Sequence, residues 1–246
     1  MKWLKAYMWL LLAFLWAPLL MVLIKGGKPE AFEKLFRNAE LVLSFRNSLV
    51  LAAATALITT ALSLATAFAL PAFPPRVRGW ITGSLLLPLV LPEIAFGIAY
   101  LVWYQQLGLA PGWGTLLLSH FAFTFCFVVL VLKTSVAKLD YSLADSARDL
   151  GAGPLNVFRH ALLPQLLPGL VAGAMMAFSL SLDDFLITFF VKGIDQLTLP
   201  VKVYSMMHLR IGPEIYALSV VLFGISLVSV IFTQVWYARS RSSRRS

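Results

Sequence analysis

Leu41–Leu70 is an almost unbroken apolar run about 30 residues long. A helix crosses the hydrocarbon of a bilayer with about 20 such residues, so this run has to tilt or project beyond it. Five further runs follow the same pattern: Tyr7–Ile24, Gly79–Tyr104, Thr115–Leu132, Pro168–Val191 and Ile215–Tyr237. None alternates apolar and polar residues as a barrel strand of about ten residues would. The expectation is an all-α, polytopic membrane protein with six transmembrane helices, residues 1–246 forming a single transmembrane domain.

Composition closes the other routes. The chain is 60% apolar and 13% charged, against about 45–50% and about 25% in soluble domains. Its 18 Phe, 7 Trp and 7 Tyr exclude a disordered chain. The single cysteine, Cys126, excludes a disulfide scaffold and reads as a small core residue. A net charge of +9 is no nucleic-acid signal here, because the basic residues sit between apolar runs rather than along one stripe.

The N-terminus carries Lys2 and Lys5 before an apolar stretch but has no A-x-A-like cleavage site, so it reads as the first span. An even number of spans puts both termini on one side. Placing them inside collects Lys2, Lys5, Arg76, Arg78, Lys133, Lys138, Arg148, Arg159, Arg239, Arg241, Arg244 and Arg245 on the cytoplasmic face, an N-in/C-in arrangement. The basic segment 25–40 opposes it, and the basic tail with the compact loop around Arg76 and Arg78 decides it.

Small residues forecast the packing. Ala52, Ala56, Ala61 and Ala65 predict a buried central second helix, and Gly169, Gly173 and Ala177 repeat the signal in the fifth. Trp3, Trp9, Phe14 and Trp16 make the first helix a lipid-facing one with interface anchors. Pro88 and Pro92 predict a kink or break near Pro92.

The polar stretch 133–165 is built for more than joining two spans. Ser142 with Asp145 forms a capping-box pattern opening a short helix to Leu150. Gly151 supplies a left-handed stop, and a second short helix follows Pro154 and ends near Pro164. Two short helices about a glycine turn suit a docking element for a soluble partner.

This stretch resembles the E-A-A-x3-G-x9-I-x-L-P signature of permease subunits in binding-protein-dependent ABC importers. Asp145, Ser146 and Ala147 stand at its opening triplet, Gly151 at its glycine, and Ala161, Leu163 and Pro164 at its close. Asp for Glu and Ser for Ala are mild departures; Ala for Ile costs a bulky contact. The segments Ser179–Phe190, Thr198–Leu218 and Leu87–Ile98 are similar to those of the putrescine/spermidine permeases, the second permease subunit in particular. The resemblance implies a type I importer permease fold in a bacterial inner membrane. It also implies a second permease subunit (a paralogue), two cytoplasmic ATPase subunits that use the ATP, a periplasmic binding protein and a polyamine substrate. It makes 133–165 a cytoplasmic coupling loop, with Ser142, Ala144, Asp145, Ser146, Ala147, Gly151 and Pro164 as its coupling residues. The competing substrate is another small solute, such as a different cation or an amino acid.

Among the acidic residues only Glu93, Asp183 and Asp184 fall well inside the expected spans. At about 1.5 Å per residue, Glu93 lies about 21 Å from Gly79 and Asp183 about 22 Å from Pro168, on helices running the same way. Intramembrane carboxylates face a cavity, a partner charge or the bundle interior, and the matched depth points to a cation path. Tyr100, Phe96 and Phe185 lie close in sequence and offer aromatic faces for a cation. Adjacent residues on a helix point about 100° apart, so Asp183 and Asp184 cannot face one path equally. One of them either joins the path, caps a broken helix, or pairs with Lys192 or Lys202. Glu93 either meets the cation or satisfies backbone groups freed by Pro92, and His120 reads as an interhelix hydrogen-bonding or packing residue.

No G-x-x-x-x-G-K-[ST] loop is present, so ATP is bound by another chain. No G-x-S-x-G or H-E-x-x-H occurs either. The expectation is a non-enzymatic subunit with no cofactor and no metal site.

Overall fold

The computed structural model describes residues 2–209 and 212–242, and the side chains of these apart from positions 2, 5, 6, 209, 226, 229, 230 and 232–242. Two compact units emerge, one of residues 1–45 with 202–246 and one of residues 46–201. All described secondary structure is helical.

In the first unit, α1 (Lys2–Gly26) and α2 (Pro29–Arg37) pack on α13 (Pro213–Ser242). Gly26 lets α1 approach closely: a Cβ there would strike the Tyr216 backbone and sit 2.7 Å from Val220 Cγ2. Most of its other described side chains are exposed, with Trp3 90%, Trp9 73% and Phe14 77%. Helix α2 starts on Pro29, carries Glu30 in its first turn and Arg37 in its last, and buries Ala31 and Leu35. Lys202 pairs with Glu40 here.

The second unit contains the body of α3 (Ala39–Ala69), ended by a tight turn at Leu70–Ala72, then α4 (Pro75–Ser84), α5 (Leu87–Val90), α6 (Glu93–Gln106) and α7 (Trp113–Val136). It continues through α8 (Tyr141–Asp149), α9 (Pro154–Val157), a wide turn at Phe158–Leu162, α10 (Leu163–Asp183) and α11 (Leu186–Val191). The chain passes into the first unit along α12 (Leu199–Leu209). Helix α10 lies along α7, and α11 lies on α6 and α7. Gly169 and Gly173 make the α7–α10 approach possible: their added Cβ atoms would sit 2.7 Å from Ser135 Cβ and 3.0 Å from Val128 Cγ1. On α3 the buried face is Ser48, Ala52, Thr55, Ala56, Thr59, Ser63 and Ala67. Ala61 and Ala65 fall on the exposed face, so α3 is buried on one side rather than all round.

The count of spans differs from the six expected. Among the described residues four helical stretches are long and apolar enough to cross a membrane: Tyr7–Gly26, Ala39–Ala72, Trp113–Val136 and Pro154–Asp183. A fifth is reached only by joining Pro75–Val90 to Glu93–Gln106, which bend by 109° at Pro92. Apolar runs alone hide such breaks, because residues on both sides of a bend are equally greasy. The expected Pro168–Val191 span is likewise cut at Asp184, and the expected Ile215–Tyr237 span falls within α13, of which Pro213–Ile225 is a short apolar stretch among the described residues. Among the described residues four or five spans replace six, and the even-number argument for N-in/C-in falls with that count. Of its basic residues, Lys2, Lys5, Arg239, Arg241, Arg244 and Arg245 lie outside the described side chains.

The 133–165 stretch folds around a different cap. Asp140, not Ser142, precedes α8, accepting from the Ser142 N–H at 3.0 Å and the Ser142 hydroxyl at 2.7 Å. Asp145 pairs instead with Arg148 at 2.7 Å. Gly151 closes α8 at φ +81°. Its N–H bonds the Arg148 carbonyl and that of Ala152 bonds Ala147, the double closure that favours glycine. The second helix does not stop at Pro164. It widens at Phe158–Leu162, where the Leu163 N–H reaches back to the Phe158 carbonyl, and runs on into α10. Pro164 lacks an N–H and crowds the carbonyl four residues back, and a widened turn relieves both.

The Ser142 donors hold the Asp140 carboxyl below its ordinary range. A depressed carboxylate contributes stability that is complete above its unfolded value and lost as pH falls through the folded one. The α8 cap is therefore intact at neutral pH and weakens only in acid below about pH 4. Asp140→Ala is expected to speed amide exchange across Tyr141–Asp149 at pH 7, and Asp140→Asn to preserve protection, as both cap residues accept.

Candidate functional site

Two interruptions of the helical ladder meet in the second unit. At the first, Leu91 (φ −80°, ψ 145°) and Pro92 (φ −60°, ψ 134°) are extended, and α6 begins at Glu93. Proline pushes the residue before it out of the helical region, so the sequence itself forces this break. A carboxylate in the first turn of α6 is favoured by the helix dipole. At the second, α10 ends at Asp183, Asp184 is extended (φ −63°, ψ 120°), and α11 starts at Leu186.

Asp184 turns inward and is 5% exposed, whereas Asp183 is exposed. Asp184 Oδ1 accepts from the Thr188 N–H at 2.8 Å and so caps α11. Helix α6 runs against α11 through Gly97, which brings the Glu93 carboxyl to that of Asp184, within electrostatic reach of Asp183 and His120. The Glu93 and Asp184 carboxyls are thus neighbours, and the exposed Asp183 adjoins them.

His120, 2% exposed on α7, completes the cluster. Its Nδ1 lies 2.7 Å from Ser181 Oγ and its Nε2 2.9 Å from Thr188 Oγ1, with Asp184 Oδ1 at 3.8 Å. Of the packing or interhelix hydrogen-bonding role expected of His120, the hydrogen bonding is present, and its place among the acids has no signal in the sequence. Ser181 and Thr188 gave no signal, being two hydroxyls in an apolar run. Tyr100 is half-buried one turn along from Phe96, the rings 6.3 Å apart, and stacks on Tyr104 at 6.2 Å. Tyr104 in turn reaches Ser119 at 2.8 Å. Lys192 lies 3.5 Å from the Gly193 carbonyl, with no ion pair to the aspartates among the described residues. No group of His, Cys, Asp and Glu suited to a metal occurs among the described residues.

The coupling residues read from sequence gather elsewhere in the unit. Ala144 is fully buried and Ala147 half-buried against Val157, Leu162 and the foot of α10. Gln165 ties the base of the loop together, accepting from the Asp140 N–H at 3.0 Å and donating to the Ala161 carbonyl at 2.8 Å. Ser142, Asp145 and Ser146 face outward, as do Leu143, Leu150 and Leu155, the last two 89% and 75% exposed.

Residues 67–244 match the family described as "Binding-protein-dependent transport system inner membrane component". The chain belongs to that family. The spermidine/putrescine permease PotC of Escherichia coli K12 is 30% identical over 241 residues, 93% of this chain and 91% of PotC. The putrescine permease PotI of the same organism is 32% identical over 252 residues, 94% of this chain and 89% of PotI. A bacterial ABC transporter structure involved in alginate import shares the fold at a TM-score of 0.65 and 15% identity, covering 84% of this chain and 78% of that one.

The permease is therefore a multi-pass inner-membrane subunit of an ABC-type importer, a transport protein and not an enzyme. Such an importer comprises a permease pair, an ATPase and a binding protein.

Proposed function

We propose that this permease carries polyamines such as putrescine or spermidine, forming the path with a paralogous second permease, two ATPase subunits and a periplasmic receptor. The observation that carries the reading is the convergence of Glu93, Asp183 and Asp184 at two helix breaks in an apolar unit. The named relatives, similar over most of the chain, support it. A polyamine presents ammonium groups separated by methylenes. Glu93 and the outward Asp183 suit the charges, while Phe96 and Tyr100 offer aromatic faces for a cation and apolar wall for the methylenes. Helix breaks enclosed by protein are where polar groups can line a path without breaking the rule that lipid-facing backbone is satisfied.

Radiolabelled putrescine and spermidine uptake tests this in cells expressing Glu93→Gln or Asp183→Asn at normal membrane abundance. Loss of one charged contact is expected to raise KM on the order of tenfold or more. Wild-type uptake in both variants overturns the carboxylate path. In the same reading, 133–165 is the coupling loop, on which ATPase closure acts through Ser142, Ala144, Asp145, Ser146, Ala147, Gly151 and Pro164.

A further inference from the structure

We infer that His120 is a positioning residue that clamps the break between α10 and α11 and so fixes where Asp184 stands; the substrate consequence rests on the reading of the carboxylates given above. An extended residue between two helices leaves the end carbonyls of one and the first N–H groups of the other without their ladder, and nothing in the backbone then sets the angle between them. The imidazole of His120 supplies that restraint from a third helix. One ring nitrogen takes Ser181, in the last turn of α10, and the other takes Thr188, in the first turn of α11. Hydroxyls donate or accept, so both can meet the ring whichever nitrogen carries its hydrogen.

Three further observations support the clamp. First, Ser119 and Thr124, beside His120 on α7, return their hydroxyls to carbonyls of their own helix at 2.8 and 2.7 Å, the usual habit of a buried helical hydroxyl. The hydroxyls of Ser181 and Thr188 bond across to His120 instead. Second, His120, Ser181 and Thr188 are 2%, 4% and 0% exposed, so water cannot replace the ring. Third, Thr188 is used twice: its hydroxyl meets His120 and its N–H meets the Asp184 carboxylate. His120 therefore holds the residue that holds Asp184. The two aspartates divide the work, with Asp184 spent on the clamp and on facing Glu93, and Asp183 turned outward.

The intact importer, with its ATPase and receptor, is the system for the test. Thr188→Val removes the hydroxyl and keeps the N–H cap, Thr188→Ser restores the hydroxyl, and His120→Phe fills the ring's space without its nitrogens. Thr188→Val and His120→Phe are expected to raise the polyamine KM on the order of tenfold in protein that reaches the membrane normally. Thr188→Ser should return it near wild type, and the double variant should be no worse than His120→Phe alone. A merely structural role would lower abundance with KM unchanged, and that result, or full additivity, overturns the clamp.

A second readout needs no substrate. In a Cys126→Ser background, D183C is labelled with a water-soluble thiol reagent. Its rate is expected to shift at least about threefold with Thr188→Val or His120→Phe, as lost restraint changes local opening, and to stay put with Thr188→Ser. An unchanged rate overturns the clamp. A shifted rate in an importer that moves no polyamine keeps the clamp and overturns only the substrate reading.

Discussion

Leu150→Asp is expected to stop uptake without disturbing the fold. Leu150 is 89% exposed at the end of α8, just before the Gly151 stop, and Leu155 follows at 75%. A polar substitution at so exposed a position changes stability within about 0.5 kcal/mol. On the coupling role proposed for this loop, what it removes is an apolar contact offered to the ATPase. Helix α8 turns Ala144 and Ala147 into its own unit and leaves Leu143 and, at its end, Leu150 outside, as α9 leaves Leu155. Anchoring the inner face fixes the outer one, so a push on the leucines would pass to Val157, Leu162 and the foot of α10. Burying a charge where an anchoring apolar residue belongs costs an interface about 2 kcal/mol or more, on the order of thirtyfold in occupancy. ATP-dependent uptake should fall at least that far, while membrane abundance and the melting temperature of the permease hold. Excision of Tyr141–Asp149 should be harsher, leaving the permease in the membrane and the ATPase unattached. Retained ATP-dependent uptake after either change overturns the coupling role proposed for this loop.

Some of this was legible in the residues because one local rule decided it. Pro92 forbids a continuous helix, and the chain breaks there. Gly169 and Gly173 carry no side chain to hold α7 away from α10. Gly151, at φ +81°, is where a left-handed stop was read. Other features depended on competition that sequence does not display. Ser142 makes a passable capping box, yet Asp140 two residues earlier is a better acceptor and takes Ser142 itself as donor. Ala61 and Ala65 are as small as Ala52 and Ala56, but which side of α3 faces inward was set by Thr59 meeting Thr124 on α7 at 3.1 Å. The break at Asp184 has no proline to announce it. The side chains that meet at it, His120, Ser181 and Thr188, come from three helices, and such a meeting is a tertiary fact. The number of spans failed for the same reason, since hydropathy measures what a segment dissolves in and not whether it bends.

Gly97→Leu should be the most damaging single substitution near the carboxyl cluster. A Cβ at Gly97 would lie 2.8 Å from Phe190 Cδ2, 3.1 Å from the Leu186 carbonyl oxygen and 3.3 Å from Ile187 Cα. The Phe190 ring can turn aside. The other two atoms are the backbone of α11, and they cannot move without the helix. Overpacking a tight crossing typically costs about 1–3 kcal/mol, occasionally more, and α11 is only six residues long. Its N-terminal N–H groups depend on Asp184, so displacing α11 strains that cap and widens the gap to Glu93 together. Even Gly97→Ala should lower uptake measurably, and Gly97→Leu should reduce it on the order of a hundredfold, with lower membrane abundance explaining only part of the loss. Gly114→Ala is the control: that glycine, in the first turn of α7, has open space around its missing side chain. Alanine there gains up to about 1 kcal/mol of helix propensity, so uptake should be unchanged. If Gly97→Leu transports as well as Gly114→Ala, then α6 and α11 do not hold the carboxyl groups together by close contact at this crossing.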